Sequence, residues 1–368
     1  MQHHVLKSGL NSTFFLKSFC RAKSSLATVP FRQLEPLRPI NLLKNYAQLS
    51  KSRLSLLMVL TTMSGFAISP LPATLPVLLA TAGSTFLCSA AANTLNQLQE
   101  IPFDAQMART RNRPLVRRSI TPLHSAGFAL VTGVAGPAIL WYMTNPTTAL
   151  LGASNILLYA GPYTWMKRRT IWNTWVGAIV GGIPPVMGWT ACGGHVFPTA
   201  MNPIHFVPPP FLSSAPLELL TDNPLAPFAL FMLLFSWQFA HFCPLSHVVR
   251  ASYAQAGYRM LAVTSPRKNS LVALRHALLL FPICSILIPL TGLTTWTFAL
   301  TSLVPNIIWS HATWKFWRVG SEKEAKIAFR HGLWWLPVIL ALMMVHKQGV
   351  NWAQRLGLQE AEEDSSSL

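Results

Sequence analysis

Residues 96–114 read NQLQEIPFDAQMARTRNRP and follow directly on an apolar run, 71–98. That run is long enough for a helix to cross a membrane. If the helix continues past it, Asn96, Glu100 and Asp104 are spaced by four residues and lie on one helix face. The proline between the two acids has no N–H to donate, so a bend or the end of the helix is predicted there.

The polar part of this stretch combines two carboxylates with many arginines. Glu100 and Asp104 are the only acidic residues between positions 35 and 218, and the arginines that follow are Arg109, Arg111, Arg113, Arg117 and Arg118. Carboxylates at a helix C-terminus need a nearby cation, and Mg²⁺ combines one or two carboxylates with waters and phosphate oxygens. Arginines bind the same phosphates. The pattern predicts Mg²⁺ on Glu100 and Asp104 with a diphosphate; the alternative is a solvated loop.

The composition is that of an integral membrane protein. Hydrophobic residues make up 51% of the chain and charged residues 11%, against about 25% charged in soluble domains. The net charge of +18 comes from short basic segments between apolar runs, which a polytopic membrane protein explains better than nucleic-acid binding. The five cysteines are scattered without a CxxC pair, so neither a disulfide framework nor a zinc site is expected.

Apolar segments and basic loops alternate along the chain. The segments are roughly 54–69, 72–98, 123–143, 147–163, 171–191, 225–243, 271–290, 293–313 and 331–346. Lysine and arginine cluster after the even-numbered segments and are absent from the loops after the first, third, fifth and seventh. This pattern predicts an all-α polytopic bundle of about nine transmembrane helices around a central cavity, with every charged loop on one side of the lipid bilayer.

The two ends of the chain differ from this middle part. Residues 1–45 are basic, with the single acid Glu35, which is typical of a mitochondrial transit peptide or disordered leader. Residues 46–347 are expected to form the membrane domain, and 348–368 a polar, acidic tail. In a mitochondrial inner membrane the charged loops would face the matrix.

Two further polar clusters follow even-numbered segments and so share a side with the first. In 163–189, Lys167, Arg168 and Asn173 precede glycines at close-packing spacing, and the pair Pro184–Pro185 is predicted to break the helix beside a cavity. The alternative is a basic loop followed by a packing helix.

The last polar cluster, 236–263, contains Trp237, His241, Arg250 and Tyr253. His241 at the membrane boundary is a candidate ligand for haem iron, a candidate base, or a histidine that only hydrogen-bonds within the bundle. Since polar side chains at membrane depth are usually functional, one cavity is expected to collect all three clusters.

Four motifs in order resemble one family. They are NQLQEIPFDAQMARTRNRPL, NTWVGAIVGGIPPVMGW, WQFAHF and AGYRML, and the resemblance runs from about Tyr46 to Trp335. The chain is similar to the UbiA-type intramembrane prenyltransferases, in their haem-farnesylating branch. The resemblance implies transfer of the farnesyl group of farnesyl diphosphate to the 2-vinyl group of haem b, with addition of water. The product is haem O, which implies a downstream haem A synthase as a partner in cytochrome c oxidase biogenesis.

The resemblance also implies roles for single residues. Asn96, Glu100 and Asp104 match the catalytic motif that holds Mg²⁺, and His241 matches a catalytic position near the haem. The positions expected to bind substrate are Arg109, Arg113, Lys167, Arg168, Asn173, Trp237, Arg250 and Tyr253. The chain departs from the family at Ala251 and Ser252, where many relatives carry acids, so a second Mg²⁺ held there is not expected. Ala240 replaces a family proline, and the 192–224 loop is longer than usual.

Three rival functions fit parts of the pattern. A prenyltransferase for a quinone precursor would carry two aspartate-rich motifs. A transporter or non-enzymatic haem carrier would place polar groups near the bilayer midplane, whereas here the charges crowd one face. A structural assembly protein would have no need of the Asn/Glu/Asp spacing.

Overall fold

The computed structural model describes residues 39–212 and 222–350. In these ranges every regular secondary-structure element is a helix. The predicted tail beyond residue 350, and the predicted leader as far as residue 38, lie outside the described residues. The helices in chain order are α1 Pro39–Leu49, α2 Ser52–Ile68, α3 Leu75–Asp104, α4 Pro122–Met143, α5 Pro146–Leu158, α6 Asn173–Ala191, α7 Leu225–Val248, α8 Arg250–Gln255, α9 Leu261–Thr264, α10 Pro266–Pro282, α11 Thr297–Thr301, α12 Leu303–Val319 and α13 Glu322–Val345.

Two of these helices continue through a wider turn. Tyr159–Tyr163 and Ile283–Leu287 are π-helical turns that lead α5 into Thr164–Met166 and α10 into Ile288–Leu290. The first of these turns brings two tyrosines and the start of the 163–189 cluster to the charged end of the molecule. Such π-helical turns occur frequently at functional sites.

The all-helical class predicted from the sequence is confirmed for the described residues, and each predicted apolar segment overlaps a helix. Within residues 39–212 and 222–350, five helical segments are long and apolar enough to cross a membrane, namely α3, α4, α7, α10 with its extension to Leu290, and α13. Helix α2 is apolar but has 17 residues. The number of nine crossings stays a prediction.

Helix α3 is longer than a membrane is thick. Its 30 residues span about 45 Å at 1.5 Å per residue, whereas the hydrocarbon core measures about 30 Å. Helix α3 is therefore longer than an untilted crossing of the core requires. The helix ends at Asp104, two residues after Pro102, as the missing N–H of the proline predicts.

The predicted break at Pro184–Pro185 is wrong, because α6 runs without interruption from Asn173 to Ala191. Close packing against α2 explains why. A Cβ added to Gly65 would lie 2.0 Å from the carbonyl oxygen of Pro185, and one added to Gly188 would lie 1.9 Å from that of Thr62. Backbone contact of this kind, available only to glycine, supports α6 through its two prolines.

The core of the second half of the chain is built from aromatic side chains. Trp309 and Trp335 are both buried, with ring centroids 5.0 Å apart. Their indole nitrogens donate to the Ala328 carbonyl at 2.9 Å and to Asn306 Oδ1 at 3.0 Å. Helices α7, α12 and α13 meet here, and His241, two turns before the end of α7, lies among aromatic rings.

Candidate functional site

The predicted Asn/Glu/Asp series lies inside the protein. Asn96, Glu100 and Asp104 are 1%, 5% and 1% exposed. The ammonium of Lys167 donates to Glu100 Oε1 at 2.7 Å, and the Arg113 guanidinium pairs with Asp104 and lies 4.0 Å from Glu100 Oε2. These five residues form the carboxylate site. The structure thus brings together residues from α3, the loop that follows it and the loop after α5.

Lys51 is a member of this site that the sequence analysis missed. Its ammonium donates to Asn96 Oδ1 at 3.2 Å and to the Tyr159 hydroxyl at 3.3 Å. It precedes α2 with a φ of 47°, a conformation that few residues other than glycine adopt. Burial lowers the pKa of Lys51 to about 7, and the cations Arg113 and Lys167 add to this effect. A bound anion would favour the charged ammonium.

The carboxylates suit a Mg²⁺ ion. Asp104 Oδ1 is buried and has no hydrogen-bond partner among the described residues, although its other oxygen pairs with Arg113. No group of three or more His, Cys, Asp or Glu side chains that could hold a metal is found in 39–212 and 222–350. An ion on Glu100 and Asp104 would complete its coordination with waters and phosphate oxygens, which is the usual arrangement for Mg²⁺.

The surroundings of the carboxylates are strongly basic. Arg113 and Lys167 supply two cations to two carboxylates, and Lys51, with a pKa of about 7, adds a third positive charge in part. Arg168 stacks over the Phe103 ring at 4.0 Å. Arg109 is exposed, and its charge is close enough to act on the Tyr163 hydroxyl. With or without one bound divalent ion, this excess of positive charge favours an anionic ligand.

Asn173 is buried and hydrogen-bonds to two loops, the basic loop after α5 and the AGYRML loop. It is fully buried, and its Nδ2 donates to the Thr170 carbonyl at 2.6 Å and the Arg259 carbonyl at 3.4 Å. The Arg259 N–H in turn donates to the Lys167 carbonyl at 2.9 Å. These hydrogen bonds join the basic loop after α5 to the AGYRML loop, and Tyr253 is buried in the cluster beneath the second of them.

Trp237 and His241 lie apart from the carboxylates. Their rings stack with centroids 4.7 Å apart, and the Phe329 ring lies 4.7 Å from His241 on α13. Trp237 Nε1 donates to the Gly332 carbonyl at 3.1 Å. His241 Nδ1 is buried without a partner among the described residues. None of their contacts in this part of the chain reaches Glu100 or Asp104.

Arg250 is also placed away from the carboxylates. Its guanidinium lies 3.2 Å from His247 Nε2 and is exposed at the start of α8. The third predicted cluster is therefore divided, since Tyr253 packs toward the carboxylate site while Trp237, His241 and Arg250 do not.

A small apolar cavity borders the carboxylate site. It has a volume of about 80 Å³ and lies between α2, α3, α5 and α6. Its α3 residues include Cys88, Ala92 and Asn93, on the face that carries Asn96 one turn later. Tyr159, the partner of Lys51, lines it as well. The apolar lining and the cations beside it suit a ligand with an anionic head and an apolar tail.

Known proteins resemble this chain over most of its length. The UbiA prenyltransferase family matches residues 58–349. The mitochondrial protoheme IX farnesyltransferase of Neurospora crassa is 42% identical over 343 residues, which is 87% of this chain and 64% of that protein. The Gibberella zeae enzyme of the same name is 39% identical over 94% of this chain and 69% of its own length. The human one is 42% identical over 82% of this chain and 62% of its own length. The chain thus spans about two thirds of the length of these relatives.

Solved structures share the fold. A digeranylgeranylglyceryl phosphate synthase has a TM-score of 0.62 at 14% identity, covering 83% of this chain and 98% of that one. A UbiA homologue from Aeropyrum pernix K1 scores 0.59 at 17% identity, covering 80% and 97%. Another, from Archaeoglobus fulgidus with DMAPP and Mg²⁺ bound, scores 0.54 at 13%, covering 82% and 99%. On the family match and these relatives, the chain belongs to the UbiA prenyltransferase family.

Proposed function

We propose that this protein transfers the farnesyl group of farnesyl diphosphate to the 2-vinyl group of haem b, with addition of water, to give haem O. The observation that carries the proposal is the buried carboxylate pair surrounded by Lys51, Arg113 and Lys167 above an apolar cavity. Such a site fits a prenyl diphosphate. The haem acceptor is inferred from the names of the relatives, which are protoheme IX farnesyltransferases.

The diphosphate would bind at the cationic end of the site. Lys51, Arg113 and Lys167 are already within it, and Arg109 and Arg168 flank it. Mg²⁺ on Glu100 and Asp104 would supply further positive charge to the leaving diphosphate. Because the donors are fixed before the reaction begins, they stabilise the developing negative charge without reorganising.

The farnesyl chain would extend along the α3 face into the apolar cavity, which excludes water from the allylic carbon. As the carbon–oxygen bond breaks, its electron pair leaves with the diphosphate and the vinyl group of the haem supplies the pair for the new carbon–carbon bond. Water then adds to the resulting cation and loses a proton. We place the haem beside Trp237 and His241, since the flat stacked rings and the unpartnered His241 Nδ1 suit it.

The proposed location follows the relatives, which are mitochondrial. We place the protein in the inner membrane with its charged loops in the matrix. Its product, haem O, would be the substrate of a downstream haem A synthase. The basic residues that cluster after α3, α5, α7 and α12 support this orientation.

The test is haem extraction and chromatography from cells that lack their own haem O synthase, with and without this protein. We expect a farnesylated haem, lost with Asp104→Ala and reduced by Glu100→Gln far more than the amount of folded protein is reduced. Absence of any new haem from well-inserted protein would contradict the proposal and favour a quinone-precursor prenyltransferase or a haem carrier. The same extracts, analysed for prenylated quinones, distinguish those two.

A further inference from the structure

A tyrosine outside the predicted site residues faces the carboxylate site from the AGYRML loop. Tyr258, between α8 and α9, is 4% exposed. Its hydroxyl is buried beside the Glu100 carboxylate, and no described residue forms a hydrogen bond of normal geometry with it. A tyrosine hydroxyl keeps its proton at neutral pH, so the side chain offers an O–H donor to the site.

The loop holds Tyr258 in place from several directions. Its N–H donates to the Tyr253 carbonyl at 2.9 Å, and the next N–H, that of Arg259, donates to the Lys167 carbonyl at 2.9 Å. Its ring lies 6.3 Å from the Phe103 ring and 5.9 Å from the Tyr253 ring. Gly257, with a φ of +72°, permits the turn just before it. The hydroxyl is thus positioned by the same loop that positions Lys167.

Two buried polar atoms that lack a well-formed hydrogen bond in the described part of the chain therefore face one site. Asp104 Oδ1 is an acceptor and the Tyr258 hydroxyl is a donor, and both are buried. Leaving a buried polar atom unpaired is unfavourable, so such atoms in a native site indicate a ligand that pairs with them. A cation satisfies the first atom and an anion the second, which together describe a metal-bound diphosphate.

We propose that Tyr258 is a further catalytic residue, whose hydroxyl donates a hydrogen bond to the diphosphate as it leaves. The inference rests on the proposed function, since it supposes a diphosphate substrate. Tyr258 keeps its proton throughout, while the electron pair of the breaking carbon–oxygen bond passes to the diphosphate. The donor comes from the loop in which Ala251 and Ser252 offer no carboxylates, so this side of the leaving group is stabilised without a second metal ion.

The test compares Tyr258→Phe with Tyr46→Phe. The control removes the hydroxyl of another tyrosine, whose partner is His124 at 2.6 Å, away from the site. Binding of inorganic pyrophosphate in the presence of Mg²⁺, measured by calorimetry, should weaken about ten- to a hundredfold in Tyr258→Phe and stay unchanged in the control. The kcat for farnesyl transfer should fall by a similar factor while the KM for haem stays unchanged.

Wild-type pyrophosphate affinity and a kcat within about twofold of wild type in Tyr258→Phe would overturn the inference. A second measurement serves if that variant does not fold. With 3-fluorotyrosine at position 258, the fluorine resonance should shift on addition of Mg²⁺ and pyrophosphate; an unchanged resonance would overturn the inference too. Tyr258-dependent pyrophosphate binding by a wild-type protein that makes no farnesylated haem would show that the proposed function alone has failed.

Discussion

The two ends of the bundle each contain a buried carboxylate with a basic partner, and they differ in what is left unpaired. At the charged end, Asp104 pairs with Arg113 through one oxygen and leaves the other without a partner in the described part of the chain. At the far end of α6, about 28 Å away along its 19 residues, both oxygens of Asp222 are used. The His195 N–H donates to them at 3.2 and 3.1 Å, and His195 Nδ1 lies 2.6 Å from Oδ2.

The difference separates a carboxylate whose two oxygens are both bonded from one with an oxygen open to a ligand. Asp222 anchors the loop after α6, as do Val207, whose N–H donates to the Leu290 carbonyl at 2.8 Å, and Asn223, which donates to the Thr291 carbonyl at 3.0 Å. Both oxygens of Asp222 are already bonded to His195, so this carboxylate offers less to a ligand. Asp104, with an unused oxygen beside an excess of cations, has that capacity.

The largest effect is expected when the buried Glu100–Lys167 pair is broken. Lys167→Met leaves Glu100 with Arg113 at 4.0 Å as its remaining ion pair in the described chain. The free energy of unfolding should fall by about 3–5 kcal/mol, and turnover should fall about a hundredfold. Because the variant frees Glu100 Oε1, Mg²⁺ should raise its unfolding temperature more than that of the wild type, as measured in detergent.

The matched control is Lys326→Met, which breaks the exposed pair with Glu322 on α13. Neither turnover nor the response to Mg²⁺ should change, since exposed pairs contribute little. An equal Mg²⁺ response in the wild type and Lys167→Met would contradict the assignment of Glu100 to the metal.

A smaller effect is expected from Arg113→Lys. The charge is kept, but one ammonium cannot replace the fork that reaches Asp104 and approaches Glu100. The KM for farnesyl diphosphate, measured by steady-state kinetics at fixed Mg²⁺, should rise about tenfold. The amount of folded protein should stay unchanged. Arg111→Lys, at an exposed position of the same loop, serves as the control, and equal KM values for the two variants would count against a role for Arg113.

The smallest effect is expected from Asp222→Asn. The side chain keeps its shape but loses the charge that faces His195, whose side chain is 48% exposed. The free energy of unfolding should fall by about 1 kcal/mol or less, with turnover within about twofold of wild type and faster proteolysis of the loop after α6. A loss of turnover as large as that of Asp104→Ala would end the distinction between the two carboxylates.

Much of the fold was predictable because helices in membranes are local structures. A segment of apolar residues must satisfy its own backbone hydrogen bonds, so length and composition identify it. The same local reasoning placed Asn96, Glu100 and Asp104 on one face, since their spacing alone decides it. It failed at Pro184 and Pro185, where support from α2 outweighs the local preference of proline.

The sequence by itself determined the membrane class, the apolar segments, the spacing of the acids and the resemblance to a family. Only the tertiary structure decided which cations meet those acids and which candidates stay apart from them. Lys51 and Asn96 are 45 residues apart, and Lys167 and Glu100 are 67 apart, so no spacing along one helix relates them. Contacts between helices depend on how many residues pack together, and the glycines at the α2–α6 contact are one example. This packing brings Lys51 and Tyr258 to the carboxylates and leaves His241 among aromatic rings.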